Sequence, residues 1–311
     1  MVRFARILMK MKNEKFRVKN CWWLLCAILF FPIHTSLQAQ DSTYARRVIR
    51  DLTSPEMFGR GMQNRGDSIA ADYVRNELKT MGVKPLCKNY YQYLHFPNTT
   101  TRPPIVKAGY RSQNVCGVLP GKSDSMIVFT AHYEHLGMHG DTIFFGAHDN
   151  ASGTAAVLDL ARMIAGQEQR HYTYVFLFFG GEESGLIGSG FFADMSLIKM
   201  NKVKLLVNID LFCGGDEGLM VVNANDRATK PYVDMLDRIN EERGYAAKIG
   251  RRDNAPNSDH YYLSQYCPAI FIYTLGGPYG GYHSPTDTCE GCGLGNYPRF
   301  LTLIRTFLEA L

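Results

Sequence analysis

The chain has 311 residues, 46% of them hydrophobic and 20% charged, with a formal net charge of +5. Residues 1–40 hold seven Lys and Arg against one Glu, so the remainder carries 27 basic and 28 acidic side chains, a net charge of −1. The basic excess thus belongs to the first forty residues and gives no support for nucleic-acid binding; the remaining stretch of about 270 residues suits one α/β domain with a substantial core.

In chain order, a basic stretch over 3–19 precedes an apolar run over 21–31 that is too short to span a bilayer comfortably. Ser36-Leu37-Gln38-Ala39-Gln40 then offers the small residues that suit signal-peptidase cleavage. The expectation is an export signal over 1–40 and a single domain over 41–311, periplasmic or extracellular, with no stable membrane association once the leader is cleaved. A retained N-terminal anchor is the alternative. Residues 43–52 and 67–81 read as amphipathic helices. In the second, Ala70, Val74, Leu78 and Met81 share a face and Gly82 supplies the stop. Residues 86–111, with Pro and Thr clusters, read as an irregular surface segment.

From there strands and helices alternate. Residues 126–131 form a buried strand, and 151–165 a helix with Val157, Leu158, Ala161 and Ile164 inward and Asn150 at its cap. The nearly continuous apolar run 172–179 has the pattern of a central strand covered on both faces. Further strands are expected at 204–209, 219–223 and 269–274, and helices at 230–243 (stopped by Gly244) and 297–311. This order predicts a mostly parallel sheet with helices on both sides. A ligand site in such a fold lies outside the carboxyl ends of the strands.

Acidic and histidine clusters recur along the chain, three of them at those ends, after 126–131, 172–179 and 204–209. They are His132-Tyr133-Glu134-His135, Gly146-Ala147-His148-Asp149-Asn150, Gly180-Gly181-Glu182-Glu183-Ser184-Gly185 and Asn208-Ile209-Asp210, with His283 in Gly281-Tyr282-His283-Ser284-Pro285. Zinc takes imidazole nitrogen and carboxylate oxygen, and a catalytic ion keeps one position open. Two imidazoles and three carboxylates are too many for one such ion. They suit a pair that shares a bridging carboxylate, leaving a further carboxylate as base. Adjacent side chains at a strand end point in different directions, so of Glu182 and Glu183 one can hold metal while the other faces water.

These segments resemble peptidase family M28, the zinc exopeptidases, over nearly all of 43–311, including the turn Phe58-Gly59-Arg60-Gly61, Ser258-Asp259-His260 and Tyr282-His283-Ser284-Pro285-Thr286-Asp287-Thr288. The resemblance implies a three-layer α/β/α sandwich around a mixed, mainly parallel sheet, two zinc ions and peptide substrates. It implies that His132 and Asp210 bind one zinc, Glu183 and His283 the other, and that Asp149 bridges them. It makes Glu182 the general base and Tyr282 a hydrogen-bond donor to the oxyanion, and it implies a cis-like peptide bond between Asp149 and Asn150. The chain departs from the family at Glu134, where Asp is usual and its carboxylate orients the liganding imidazole. The longer Glu134 is expected still to reach the His132 ring.

Other residues read more plainly. His135 and His148 are expected in supporting or rim positions, His95 and His139 on the surface, and Arg251 and Arg252 in a solvated loop. Six of the eight cysteines follow residue 40, and in an oxidising compartment one or more disulfides would form. Cys289-Glu290-Gly291-Cys292 reads as a local disulfide or free thiols, and Cys213 as a buried inert thiol. The activity expected is that of an aminopeptidase. A carboxypeptidase or dipeptidase, a one-zinc glutaminyl cyclase and a non-catalytic binding module on the same scaffold remain as competitors.

Overall fold

A computed structural model describes residues 42–94, 112–277 and 281–311. The leader over 1–40, His95 and most of the irregular segment expected at 86–111 lie outside them. Among the described residues no helix is long and apolar enough to cross a membrane.

The elements run α1 (Thr43–Leu52), α2 (Gly66–Thr80), β1 (Lys84–Pro85), β2 (Tyr91–Tyr93), β3 (Gln113–Leu119), β4 (Met126–His132), β5 (Met138–His139), β6 (Thr142–Ile143), α3 (Ser152–Ala165), β7 (Thr173–Phe179), α4 (Ile187–Asp194), β8 (Val203–Ile209), β9 (Gly218–Val222), α5 (Lys230–Arg243), β10 (Ile249–Arg252), α6 (His260–Leu263), β11 (Ala269–Leu275) and α7 (Tyr297–Glu309). The main sheet has the order β1-β3-β7-β4-β8-β11-β9-β10, with β2 beside β3. Its centre, β7-β4-β8-β11, is parallel, while β3 on β7 and β9 on β11 are antiparallel.

Period-two alternation divides each central strand between two cores. Ile127, Phe129 and Ala131 of β4 and Phe176 and Phe178 of β7 join the larger core, with Val48 of α1, Val74 of α2, Leu158 of α3, Leu236 of α5 and Ile304 of α7. Val128, Val175, Leu177 and Phe179 point the other way, onto Phe192 of α4 and Leu263 of α6. The result is the three-layer sandwich, α/β/α. The expected strands and helices recur within a few residues. Among the described residues eight elements are additional: the strands β1, β2, β3, β5, β6 and β10 and the helices α4 and α6. Arg251 lies in β10 rather than a loop, where its guanidinium meets Asp234 at 2.8 Å and also Asp237. The only signal for β10 was Ile249-Gly250, too short to show a period.

Candidate metal centre

Three of the clustered motifs sit where a buried parallel strand stops. His132 is the last residue of β4, Gly180–Glu183 follow β7, and Asp210 follows β8. Pairing of β4 with β7 sets His132 opposite Phe179, and Thr130 opposite Asn208 in β8. The register therefore brings the three carriers to one edge of the sheet. The fourth carrier, Asp149, comes from the turn before α3, and its peptide bond to Asn150 is cis. Gly146 adopts φ +59°, and a Cβ there would stand 2.3 Å from the Asp149 carbonyl oxygen and 2.4 Å from His135 Cδ2. Only glycine fits a left-handed position that crowded. His283 arrives from beyond β11, itself at φ +52°.

The five expected ligands converge. His132 Nε2 lies 3.3 Å from Asp149 Oδ1 and 3.3 Å from Asp210 Oδ1. On the other side His283 Nε2 lies 3.0 Å from Asp149 Oδ2 and 3.0 Å from Glu183 Oε2. Asp149 thus turns one oxygen to each group. Tetrahedral bonds of about 2.0–2.1 Å would separate neighbouring donors by roughly 3.3 Å, so the spacing fits ions of that size. The donor chemistry fits as well: His132, Asp149 and Asp210 are almost wholly buried, and buried charges of this kind are paired or hold metal. A second group of ligand atoms within 4.8 Å of one another joins His135, Asp149 and Glu183.

The electrostatics of the cluster follow from this packing. Burial alone would raise Asp149, but hydrogen bonds from His132 and His283 hold it well below the ordinary carboxylate range. The same two-sided pairing with Asp149 and Glu183 pushes His283 up to about 10. Glu183 is likewise lowered against its burial and the charge of Asp149, by His135 and His283. Glu182 moves the other way. Burial raises it well above the usual value, and His132 opposes this while Asp259, Asp210 and Glu183 add to it. The two adjacent glutamates are thus driven apart, the pattern that separates an anionic ligand from a proton-handling group. Tyr282 is half exposed and its ring stacks on His283 at 3.9 Å.

Glu134 corrects the expectation placed on it. His132 Nδ1 donates to the Glu134 backbone carbonyl at 3.0 Å, not to its carboxylate. The carboxylate instead accepts from the Glu183 backbone N–H at 3.3 Å. The added methylene carries the charge past the imidazole to the next strand end. The cysteines also differ from expectation: Cys292 pairs with Cys213, 79 residues away with Cα atoms 5.3 Å apart, and Cys289 has no disulfide partner among the described residues. Neighbours in the chain lost to a partner that the fold brings across from the Asp210 loop.

Several supporting residues carried no role in the sequence reading. Ser258 Oγ donates to Asp210 Oδ2 at 2.7 Å and accepts from Asn208 Nδ2 at 2.7 Å, while Thr130 donates to Asn208 Oδ1 at 2.7 Å. This buried relay fixes Asp210 from behind. Asp287 accepts from the backbone N–H groups of His148 and Asp149 at 2.8 and 3.1 Å. Arg60 is fully buried and donates to the carbonyls of Leu52, Tyr133, Phe145 and Gly146. Their only sequence signal was a place inside motifs whose neighbours look more reactive. His148 supports the turn rather than the ions, its Nδ1 accepting from the Cys213 N–H at 3.2 Å. His139 lies exposed in the β5-β6 hairpin.

Comparison with known proteins bears on the same segments. A probable leucine aminopeptidase of Arthroderma otae is 26% identical over 196 residues, covering 58% of this chain and 52% of that protein. The chain therefore spans about half the length of that relative. Among solved structures, a Zn-dependent exopeptidase from Parabacteroides distasonis matches with a TM-score of 0.69 at 18% identity, over 87% of this chain and 97% of that one. A glutaminyl cyclase from Porphyromonas gingivalis matches with a TM-score of 0.70 at 14% identity, over 88% and 99%. Such identities speak to the fold alone, which these proteins share. The model of peptidase family M28 matches residues 114–308, a span that includes every expected ligand, and the chain belongs to that family.

Proposed function

We propose that the chain is an exported di-zinc exopeptidase, an aminopeptidase that releases N-terminal residues from peptides in the periplasm or outside the cell. The observation that carries the two-ion reading is Asp149, with one oxygen 3.3 Å from His132 and the other 3.0 Å from His283. His132, Asp149 and Asp210 would hold one ion, and Asp149, Glu183 and His283 the other. When bound, the ions would polarise the scissile carbonyl as Lewis acids and lower the pKa of bound water toward about 7.

The residues of the chain do the rest. Glu182, with its raised proton affinity, takes a proton from the attacking water and returns it to the leaving amine. Tyr282, on the open side of His283, donates to the oxyanion. The Ser258–Asn208–Thr130 relay keeps Asp210 from turning away. The presence of both His132 and Asp210 favours a peptidase over a one-zinc glutaminyl cyclase, which needs no second complete set.

The test is a panel of peptides with free and blocked N-termini, assayed with and without a chelator. Cleavage lost on blocking and on chelation supports the aminopeptidase; cleavage indifferent to blocking points to a carboxypeptidase. Cyclisation of an N-terminal glutaminyl peptide without hydrolysis overturns the reading. The substitution Glu182→Gln is expected to keep fold and metal while lowering turnover by about 10²–10⁴-fold. A variant that works at near wild-type rate removes Glu182 as the base.

A further inference from the structure

The motif His132-Tyr133-Glu134-His135 delivers a second imidazole that the five-ligand set does not use. His135 is fully buried. Its Nδ1 stands 2.7 Å from Glu183 Oε1, shorter than the 3.0 Å between Glu183 Oε2 and His283 Nε2. Both separations are within hydrogen-bond reach, with His135 facing Oε1 and His283 facing Oε2. The two oxygens of Glu183 therefore face different partners.

The ring has little freedom to do otherwise. Its backbone N–H donates to the Arg60 carbonyl at 3.3 Å, and its Cδ2 edge lies against Gly146 where no Cβ fits. It also sits edge-on to His283 with centroids 6.0 Å apart. Its Nε2 is buried with no hydrogen-bond partner among the described residues. A proton on Nε2 would bury an unpaired donor, and would leave the Nδ1 lone pair facing a carboxylate if it were the only ring proton. The proton therefore belongs on Nδ1, pointing at Oε1.

We propose that His135 is a positioning residue whose Nδ1–H holds Glu183 Oε1, so that Glu183 offers the second metal position a single oxygen. Glu183 is then pinned at two points. Its backbone N–H is held by the Glu134 carboxylate and its outer oxygen by His135, while its inner oxygen serves the site. A carboxylate that gives one oxygen fills one coordination position instead of two, which keeps room on that ion for a substrate group. The inference rests on the two-ion reading above.

The experiment is a Zn2+ titration of the full-length, metal-stripped protein by calorimetry, with thermal melts as a control on folding. Wild type is expected to bind two ions; binding of one alone would sink the two-ion reading itself. With two bound, His135→Ala should leave the tighter ion within about threefold and weaken the other by about 10–100-fold. His135→Asn, whose Nδ2–H can stand where Nδ1–H was, should restore that ion to within about fivefold, and His135→Gln should not. Should His135→Ala fail to fold, the Asn and Gln variants decide between them. Equal affinities of Asn and Gln variants, or an alanine variant that binds both ions like wild type, overturn the proposal. A Co2+-substituted His135→Asn protein should keep the wild-type visible spectrum; a spectrum that instead reports loss of a nitrogen ligand would make His135 a ligand and overturn it as well.

Discussion

One methylene separates Glu134 from the aspartate usual at its place, and that length decides which group it serves. The shorter side chain could turn back to the His132 ring; the longer one reaches the Glu183 amide, and a backbone carbonyl takes over the imidazole. Burial and the charge of Glu183 raise Glu134 well above the usual carboxylate range. A similar contest occurs at Asp67, where Tyr133, Ser112 and Gln113 all donate to the carboxylate. Burial still wins and raises it from 3.8 to about 7. A group raised in this way binds its proton more tightly when folded. Its contribution is therefore fully favourable below about pH 3.8 and is lost as pH rises to about 7, at up to about 1.4 kcal/mol per pH unit. Urea unfolding of metal-loaded protein between pH 4.5 and 7 should show a flatter dependence in Asp67→Asn than in wild type. Parallel slopes would mean that Asp67 titrates normally.

At the scale of elements, the site is a junction of strand ends tied by a few polar side chains. Register between β4, β7 and β8 aligns the carriers, and hydrophobic alternation fixes that register, because a slip of one residue would turn each strand inside out. The loops need separate ties. Arg60 supplies one by joining the end of α1 to the residue after His132 and to the turn before Asp149. Burial lowers its pKa to about 10, against the attraction of Asp287, Asp149, Glu134 and Glu183, so it stays charged at neutral pH. Arg60→Ala would strand four carbonyls, and is expected to cost about 3–5 kcal/mol in urea unfolding and to weaken metal binding. Arg60→Lys should recover only part, since one ammonium cannot span four acceptors in two directions. A loss below about 1 kcal/mol for the alanine variant would show that the loops hold themselves.

For the whole molecule, the Cys213–Cys292 bond joins the loop after Asp210 to the segment before α7, closing 79 residues that contain β9, α5, β10, α6 and β11. Cross-linking that much chain restricts the unfolded state, an effect worth typically 2–4 kcal/mol. Cys292→Ser is expected to lower the unfolding free energy by about that amount, with a matching loss when wild type is reduced. An unchanged midpoint in both would show that the packing of α7 already supplies the constraint. Tyr297, Phe300 and Phe212 meet on this side of the core, with ring centroids 6.0 Å apart in each Phe212 pair.

Contiguous stretches of the chain were enough to read the alternation of strands and helices and the strand ends that carry His132, Glu182, Glu183 and Asp210, while the convergence of Asp149 and His283 came from the family resemblance. The strand and helix features are local: hydrophobic period, turn residues and ligand types are written in neighbouring residues. The sequence did not yield β3, whose seven residues include Gln113, Asn114 and Gly117 and which is a strand because β7 offers it an edge. Nor did it yield the partner of Cys292, the atom that orients His132, the two-sided hold on Glu183 or the four carbonyls around Arg60. Each of these depends on which distant side chain the packed sheet brings within about 3 Å, a matter of the tertiary structure and of nothing shorter.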